Sequence, residues 1–254
     1  MEVHAPWPEK LPNGRLLDPN HRHLTLAFLG NVDYSQMQEA LRTFPPPPFT
    51  LGFAATFDQC LFLPPRHPHV VAWHIKGIKE ERLVAYQKTL IQWLQNKGFP
   101  SEVKLEFMPH VTLCRAPFEE RLWQQTFTPI PLMIQHIHLY ESVGNLKYES
   151  LWHSPLLAPF EEIEHTADLG FLVRGHTYKE LFYNAAIAIC FHFPPLIAYI
   201  PAVDVQSLEE VIVTLNQMVY RADCEIGCPF KAVSFHSQMT SENNILQWMM
   251  IIDV

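Results

Sequence analysis

The sequence predicts an α+β protein built from two parts that divide near residue 157. Both parts mix segments in which apolar and polar residues alternate, as in strands, with segments whose apolar residues recur at helical spacing. Pro155 and Pro159 interrupt regular structure where the charge balance of the chain changes. A chain of 254 residues suffices for one large domain or two of ordinary size. We therefore predict domains over residues 1–157 and 158–254.

Four strands and two helices are predicted in the first part. The helix at 35–44 begins with a capping box formed by Ser35 and Gln38. The helix at 80–97 carries an apolar face and ends at Gly98. The apolar face contains Leu83, Leu90 and Leu94. The alternating segments predicted as strands are 23–29, 70–75, 110–114 and 134–140.

Two capping boxes, Thr177 with Glu180 and Ser207 with Glu210, predict helices in the second part. Each box precedes an apolar stripe at helical spacing. The stripes contain Leu181, Ala185 and Ile189 in the first helix, and Leu208, Val211, Leu215 and Met218 in the second. Strands are predicted at 232–235 and 246–252.

The composition excludes a membrane-spanning protein, because no apolar run approaches the ~20 residues that cross a bilayer. The first residues lack the basic and then apolar layout of a signal peptide. The five cysteines are odd in number and form no paired framework. Cys224 and Cys228 are too weak a pair for a zinc site, and free cysteines are expected. We predict a cytoplasmic protein, and the sequence leaves its oligomeric state open.

The net charge of −8 lies wholly in the second part. Residues 1–157 hold 14 Lys+Arg and 14 Asp+Glu, whereas residues 158–254 hold 4 and 12. A neutral first part lacks the excess positive charge that binds a long phosphate backbone. The acidic second part favours a cation or a basic protein partner.

A repeated pattern, His23-Leu24-Thr25 and His110-Val111-Thr112, predicts a catalytic site. On a strand, each histidine shares a face with its threonine, while the intervening residue points into the core. In the first strand Leu24, Leu26 and Phe28 are expected in the core. If the two strands are neighbours, four polar groups converge. One histidine can then take a proton from water while the other protonates a leaving ribose oxygen. The threonine hydroxyls can stabilise charge on a phosphate, and no metal or other cofactor is required.

These motifs resemble those of the 2H phosphoesterase superfamily, and most closely its branch of RNA 2′,3′-cyclic phosphodiesterases, also called 2′-5′ RNA ligases. The resemblance covers most of residues 15–157 and includes the 137–142 segment. It implies two αβ lobes that enclose a groove, with one motif from each lobe. It also implies cleavage of RNA 2′,3′-cyclic phosphate ends to 2′-phosphates. His23 and His110 would be acid and base, in an order the sequence does not assign, and Thr25 and Thr112 would bind the phosphate.

Two features bear on how complete this site is. Arg115 resembles a basic residue that follows the family's second motif and could contact the phosphate. Simple alternation from His110 places it on the opposite face unless a twist or a bulge intervenes. Family members begin with an apolar strand, whereas the opening segment here is broken by Pro6 and Pro8. Either that strand is degraded or the start is atypical. His136 and His138 share a face near the groove or simply pack.

The acidic part resembles archease, a small protein that assists RtcB-type RNA ligases. The resemblance rests on His165-Thr166-Ala167-Asp168, on the 231–236 segment and on the last four residues, with a shortened middle at roughly 192–231. It implies that Asp168 and Asp253 bind a divalent cation, calcium or magnesium. Without it, Asp168 would be an ordinary turn acid and Asp253 part of a frayed terminus.

Together the two resemblances predict an RNA-end-processing enzyme, active in RNA repair or tRNA splicing, fused to a ligase cofactor. Two alternatives stay open. Both parts could be non-catalytic adaptors that bind RNA ends for a ligase, or the enzyme could act on 2′-5′-linked oligonucleotides or another small cyclic phosphate.

Overall fold

Long apolar strands build an antiparallel sheet at the centre of the first part. The computed structural model describes residues 1–77, 80–100, 107–234 and 239–254. The sheet has the order β1-β4-β3-β2-β5. Its strands are β1 (Arg15–Leu16), β2 (Phe53–Leu63), β3 (Val70–Lys76), β4 (His110–Arg115) and β5 (Ile130–Ile134).

A two-stranded hairpin and three α-helices complete this part. The hairpin consists of β6 (His136–Gly144) and β7 (Lys147–Pro155). The helices are α1 (Tyr34–Leu41), α2 (Glu80–Asn96) and α3 (Glu120–Thr126), and a 3₁₀ turn covers Pro19–His21. The predicted strand at 134–140 is therefore divided between β5 and β6. The predicted helix at 80–97 and the strands at 70–75 and 110–114 are confirmed to within one residue at their ends.

The helix predicted at 35–44 is shorter, and its cap was wrongly predicted. Helix α1 ends at Leu41, and its N-cap is Asp33, whose carboxylate accepts a hydrogen bond from the backbone N–H of Gln36 at 3.0 Å. A carboxylate at Asp33 serves as a cap as well as a hydroxyl does, so the helix starts at Tyr34, two residues before the start that a Ser35 cap would allow.

The second part is a smaller antiparallel sheet covered by two helices. The sheet has the order β10-β12-β9-β8, with β11 paired to β12. Its strands are β8 (Phe160–Ile163), β9 (Leu169–Gly175), β10 (Ala232–Val233), β11 (Met239–Glu242) and β12 (Ile245–Asp253). The helices are α4 (Tyr178–His192) and α5 (Leu208–Ile226), with a 3₁₀ turn over Pro194–Tyr199. The predicted strand at 232–235 is confirmed for Ala232 and Val233. Phe235 lies outside the described residues. The α+β prediction is confirmed for both parts.

Both predicted capping boxes of the second part are present. Thr177 Oγ1 accepts from the N–H of Glu180 at 3.1 Å, and Ser207 Oγ accepts from the N–H of Glu210 at 3.2 Å. The glutamates reach back to backbone N–H groups one residue before the caps, at 3.3 Å for His176 and 2.7 Å for Gln206.

Helix α4 is buried far beyond its predicted stripe. Residues from Leu181 to Cys190 are almost all fully buried, because α4 packs on β9 of its own sheet and also on β2 and β5 of the first part. Ala54 of β2 belongs to the same hydrophobic cluster as α4. The two parts therefore share a packed interface, and the boundary at 157/158 stays a prediction.

All five cysteines are free, as predicted. Within the described ranges, no helix is both long and apolar enough to span a membrane.

Ser207, the observed cap of α5, and Ser35, which does not cap α1, offer a matched pair for a stability test. We expect Ser207→Ala to lower the free energy of unfolding by about 1 kcal/mol, because α5 loses a side-chain cap. Ser35→Ala should change it by less than about 0.5 kcal/mol, because Asp33 is the cap of α1. Urea unfolding followed by circular dichroism measures both, and an equal loss in the two variants would contradict these cap assignments.

Candidate active site and acidic site

The first motif forms only a short stretch of paired backbone. Glu2 and His23 form an antiparallel bridge, and the N–H of Leu24 donates to the carbonyl of Met1 at 2.9 Å. Beyond Leu24 the predicted strand at 23–29 is wrong. The carbonyl of Leu26 instead accepts from the side-chain amide of Gln87 in α2 at 3.2 Å, so the chain leaves the sheet.

The end of the strand also places one residue that was predicted in the core, Phe28, on the surface. Leu24 and Leu26 are buried as expected, but Phe28 is 82% exposed. Phe28 follows the point where pairing ends, so strand alternation no longer determines the side on which it lies.

The second motif opens β4 in the middle of the large sheet. Val111 and Leu113 are fully buried, and β3 pairs with this stretch so that His74 faces His110 and Ala72 faces Thr112. The motif is thus held by a regular ladder, in contrast to the first motif.

A single antiparallel bridge, between Leu24 and Val111, joins the two motifs. Neighbouring residues of an antiparallel bridge oppose each other, so His23 lies across from Thr112 and Thr25 across from His110. Directly opposed side chains start about 5 Å apart at their Cβ atoms. Leu24 and Val111 are both buried, at 1% and 0% exposure, so the four polar side chains occupy the other face together. The structure brings the four predicted residues side by side.

Both histidine rings are oriented by the same local contact. Nδ1 of His23 lies 2.8 Å from the carbonyl oxygen of His21, and Nδ1 of His110 lies 2.8 Å from that of Met108. A carbonyl can only accept, so each Nδ1 carries the hydrogen and each neutral ring has its lone pair on Nε2.

Two tyrosines of the hairpin cover His23, and the sequence patterns gave them no role. The rings of Tyr140 and Tyr148 lie 5.1 Å and 4.6 Å from the His23 ring, centre to centre. Burial lowers the pKa of His23 to about 4, so the imidazole is neutral at neutral pH. Burial also raises the pKa of Tyr140 to about 12. The alternation of His136, His138 and Tyr140 along β6 was the signal that could have placed Tyr140 on this face.

Arg22 anchors the first motif from the core side. Its Nε donates to the carbonyl of Leu17 at 3.1 Å, and its guanidinium lies 4.6 Å from the centre of the Trp7 ring. Burial lowers the pKa of Arg22 to about 10, which still leaves it charged at neutral pH. Sequence patterns gave Arg22 no role, because its contacts with Leu17 and Trp7 depend on how the chain folds back on itself.

The bulge that Arg115 requires is present. Val71 pairs with Cys114 and Ala72 with Thr112, so Leu113 is an extra residue in β4. Leu113 and Cys114 are both fully buried, and alternation then returns Arg115 to the face of His110 and Thr112. Arg115 also pairs with Arg15 at the edge strand.

The proline-broken opening segment still takes the place of a strand. Glu2 bridges to His23 on one side, and His4 bridges to Met133 on the other. Val3 between them is buried. The segment is therefore a degraded strand that keeps its pairing position.

Asp168 and Asp253 lie at the same end of the second sheet. Leu169 pairs with Ile252, and each aspartate is the chain neighbour of one of these two paired residues. His165 Nδ1 lies 3.6 Å from Asp168 Oδ2. Asp253 also lines an open cleft of about 530 Å³ beside α5. Two carboxylates offer only oxygen ligands, which suits a hard cation such as Ca²⁺ or Mg²⁺.

Comparisons with known proteins match this chain to an archease family model and to RNA 2′,3′-cyclic phosphodiesterases. Residues 160–248 match the model of the Archease protein family. An RNA 2′,3′-cyclic phosphodiesterase of Thermotoga maritima is 30% identical over 133 residues, 47% of this chain and 66% of that protein. One of Methanocaldococcus jannaschii is 29% identical over 112 residues, 43% of this chain and 59% of that protein. The chain joins a segment similar to RNA 2′,3′-cyclic phosphodiesterases to an archease-like segment.

Two solved structures are similar to part of this chain. A crystal structure of a phosphoesterase shares 25% identity with a TM-score of 0.42, covering 57% of this chain and 82% of the other. E. coli LigT complexed with 3′-AMP shares 25% identity with a TM-score of 0.43, covering 56% and 81%. The chain spans slightly less than two thirds of the length of the first curated relative and 59% of the second.

The depressed pKa of His23 has a direct spectroscopic test. The native pKa lies below the ordinary value of 6.5, so lowering the pH protonates the unfolded chain first. The contribution of the neutral His23 imidazole to the free energy of unfolding is fully present above about pH 6.5. It is lost as the pH falls toward 4. We expect the His23 imidazole signals, assigned by their loss in His23→Asn, to stay constant from pH 7 to 5 in NMR spectra. Titration of these signals near pH 6.5 would contradict the burial of this ring beneath the two tyrosines.

Proposed function

We propose that the phosphodiesterase-like segment hydrolyses 2′,3′-cyclic phosphate ends of RNA to 2′-phosphates. The observation that carries this proposal is the Leu24–Val111 bridge, which sets two histidines and two threonines on one face. The names of the two curated relatives supply the substrate class. The zero net charge of residues 1–157 agrees with binding a small RNA end.

The arrangement supports in-line attack by water on the cyclic phosphate. One histidine takes a proton as the water oxygen bonds to phosphorus. The bond from phosphorus to O3′ breaks, and the other histidine donates its proton to O3′, which leaves the phosphate on O2′. Hydroxyl groups of Thr25 and Thr112 donate hydrogen bonds to the non-bridging oxygens, and Arg115 adds positive charge on the same face.

The environment of His23 favours one assignment of the two roles. His23 is neutral near neutral pH because burial lowers its pKa, so its Nε2 lone pair is ready to accept a proton from water. We assign His23 as the base and His110 as the acid.

Analysis of the phosphate at the end of a short RNA tests the proposed hydrolysis. A short RNA ending in a 2′,3′-cyclic phosphate is incubated with the full chain and EDTA, well below the unfolding temperature measured in the same buffer. We expect a 2′-phosphate product, with kcat/KM lowered by at least about 10²-fold in His23→Ala and in His110→Ala.

His67→Ala, a change at an exposed histidine of the β2–β3 loop, is the matched control and should retain full activity. No product from the well-folded parent would exclude this activity. RNA-end binding without turnover would then favour an adaptor, and cleavage of a 2′-5′-linked oligonucleotide alone would favour the other substrate class.

We propose that the archease-like segment assists an RNA ligase of the RtcB type. The family match over residues 160–248 supports this role, and the excess of acidic residues suits a cation or a basic partner. Asp168 and Asp253 would hold the divalent cation, which would supply positive charge where the segment meets its ligase or nucleotide partner.

Calcium titration tests the acidic site. We expect Asp168→Asn and Asp253→Asn to weaken Ca²⁺ binding at least about tenfold and to remove stimulation of an RtcB-type ligase by the full chain. Asp204→Asn, at an exposed aspartate elsewhere in the same segment, should change neither. Undiminished binding and stimulation in both site variants would refute this assignment.

A further inference from the structure

Three histidines surround the carboxylate of Glu2 on the side of the β6–β7 hairpin. His136 Nδ1 lies 2.9 Å from Oε2 of Glu2, and His138 Nε2 lies 3.3 Å from the same oxygen. His4 Nε2 lies 3.5 Å from Oε1. None of these groups belongs to the two His-x-Thr motifs or to the Asp168–Asp253 pair.

The backbone holds this cluster together independently of the side chains. The N–H of Glu2 donates to the carbonyl of His136 at 3.1 Å, and His4 exchanges two 2.8 Å hydrogen bonds with Met133. The degraded opening strand thus lies along the start of the hairpin. The ring of His153 closes one side, 6.0 Å and 5.8 Å from the rings of His136 and His138.

The spacing of the polar atoms matches the coordination shell of a metal ion. Within the part of the chain that the structure describes, Glu2, His4 and His136 offer three ligand atoms that lie within 4.8 Å of one another. Tetrahedral zinc with bonds of about 2.0–2.1 Å separates its ligand atoms by about 3.3 Å. His136 lies 2.9 Å from Oε2 of Glu2 and His4 lies 3.5 Å from Oε1, so each histidine approaches a different carboxylate oxygen at a distance near that value.

Hydrogen bonds fix the ring of His138 beside the carboxylate. Nε2 of His138 donates to Oε2 of Glu2 at 3.3 Å, because a carboxylate only accepts. Nδ1 of His138 then accepts from the hydroxyl of Ser150 at 2.7 Å. His138 therefore holds the Glu2 carboxylate from outside the trio, as a hydrogen-bonding partner of a metal ligand does.

We propose that Glu2, His4 and His136 bind a divalent transition-metal ion of the zinc class, with a water molecule as fourth ligand. His138 orients the Glu2 carboxylate. Two imidazoles and a carboxylate favour zinc over calcium and magnesium, which prefer oxygen ligands alone. The three ligands are half-buried, so an ion can enter from solvent.

The ion would fasten the opening segment to the hairpin beside the two-histidine face. Glu2 bridges to His23 through its backbone, and His138 stacks on Tyr140 with ring centres 4.9 Å apart. Tyr140 in turn packs on His23. The metal is therefore structural: it holds the surroundings of His23 and takes no part in the hydrolysis.

The test measures metal binding without RNA, so its outcome does not depend on phosphodiesterase activity. The metal-depleted full chain is titrated with Zn²⁺ by calorimetry, and the Co²⁺ complex is examined by visible absorption. We expect the parent to bind one equivalent of zinc. The variant Asp168→Asn and the double variant Cys224→Ser/Cys228→Ser should bind it equally well. His4→Gln and His136→Asn should bind it at least about tenfold more weakly. His67→Asn and His69→Asn apply similar changes to exposed histidines of the β2–β3 loop and should bind as the parent does.

A second measurement separates loss of the site from loss of the fold. Zn²⁺ should raise the unfolding midpoint of the parent and of the loop variants, but not that of His4→Gln or His136→Asn, whose metal-free midpoints stay near that of the metal-free parent. The Co²⁺ complex should show ligand-field bands without intense thiolate charge transfer. Equal zinc binding in parent and both site variants, no zinc binding by the parent, or a thiolate spectrum would overturn the proposal. The cluster would then be an ordinary set of histidine–carboxylate ion pairs.

Discussion

The antiparallel bridge between Leu24 and Val111 is the contact on which the candidate active site depends. Side chains alternate across a strand, so burying these two residues leaves their neighbours on the opposite face. Burial of an aliphatic side chain stabilises a fold by about 1.5–3 kcal/mol, so the core itself holds His23, Thr25, His110 and Thr112 together. The catalytic groups need no direct contact with one another to stay in place, and they remain free to bind a phosphate.

The bridge also explains which parts of the site could be predicted from the sequence. Alternation in the two His-x-Thr motifs was sufficient to predict a shared face, whereas the face of Arg115 stayed open because it depends on the bulge at Leu113. The strand after Leu24 could not be predicted, because its end depends on the distant contact between Leu26 and Gln87. The pKa of His23 likewise depends on Tyr140 and Tyr148, which are remote in the chain. Local sequence patterns therefore predict which face a side chain occupies on a strand. Contacts between distant residues determine where the strand ends and how far a side chain is buried.

The fold shows the same division between local and distant causes. The caps at Thr177 and Ser207 were predictable because donor and acceptor lie within one turn. The burial of α4 was not, because its second face is covered by β2 and β5 of the other part. This interface ties the archease-like segment to the sheet that carries His110. The two candidate metal sites differ in chemistry, with imidazole nitrogen around Glu2 and carboxylate oxygen at Asp168 and Asp253, so they would select different ions.

The central claim is that the two motifs act as one catalytic pair. A double-mutant cycle on hydrolysis of a 2′,3′-cyclic phosphate RNA end, with His23→Asn, His110→Asn and the double variant, tests it most directly. Residues that act as a unit are strongly non-additive, so each single change should cost about as much kcat as both together. Multiplicative losses, in which the double variant falls by the product of the two single effects, would show that the histidines act independently and would contradict the account.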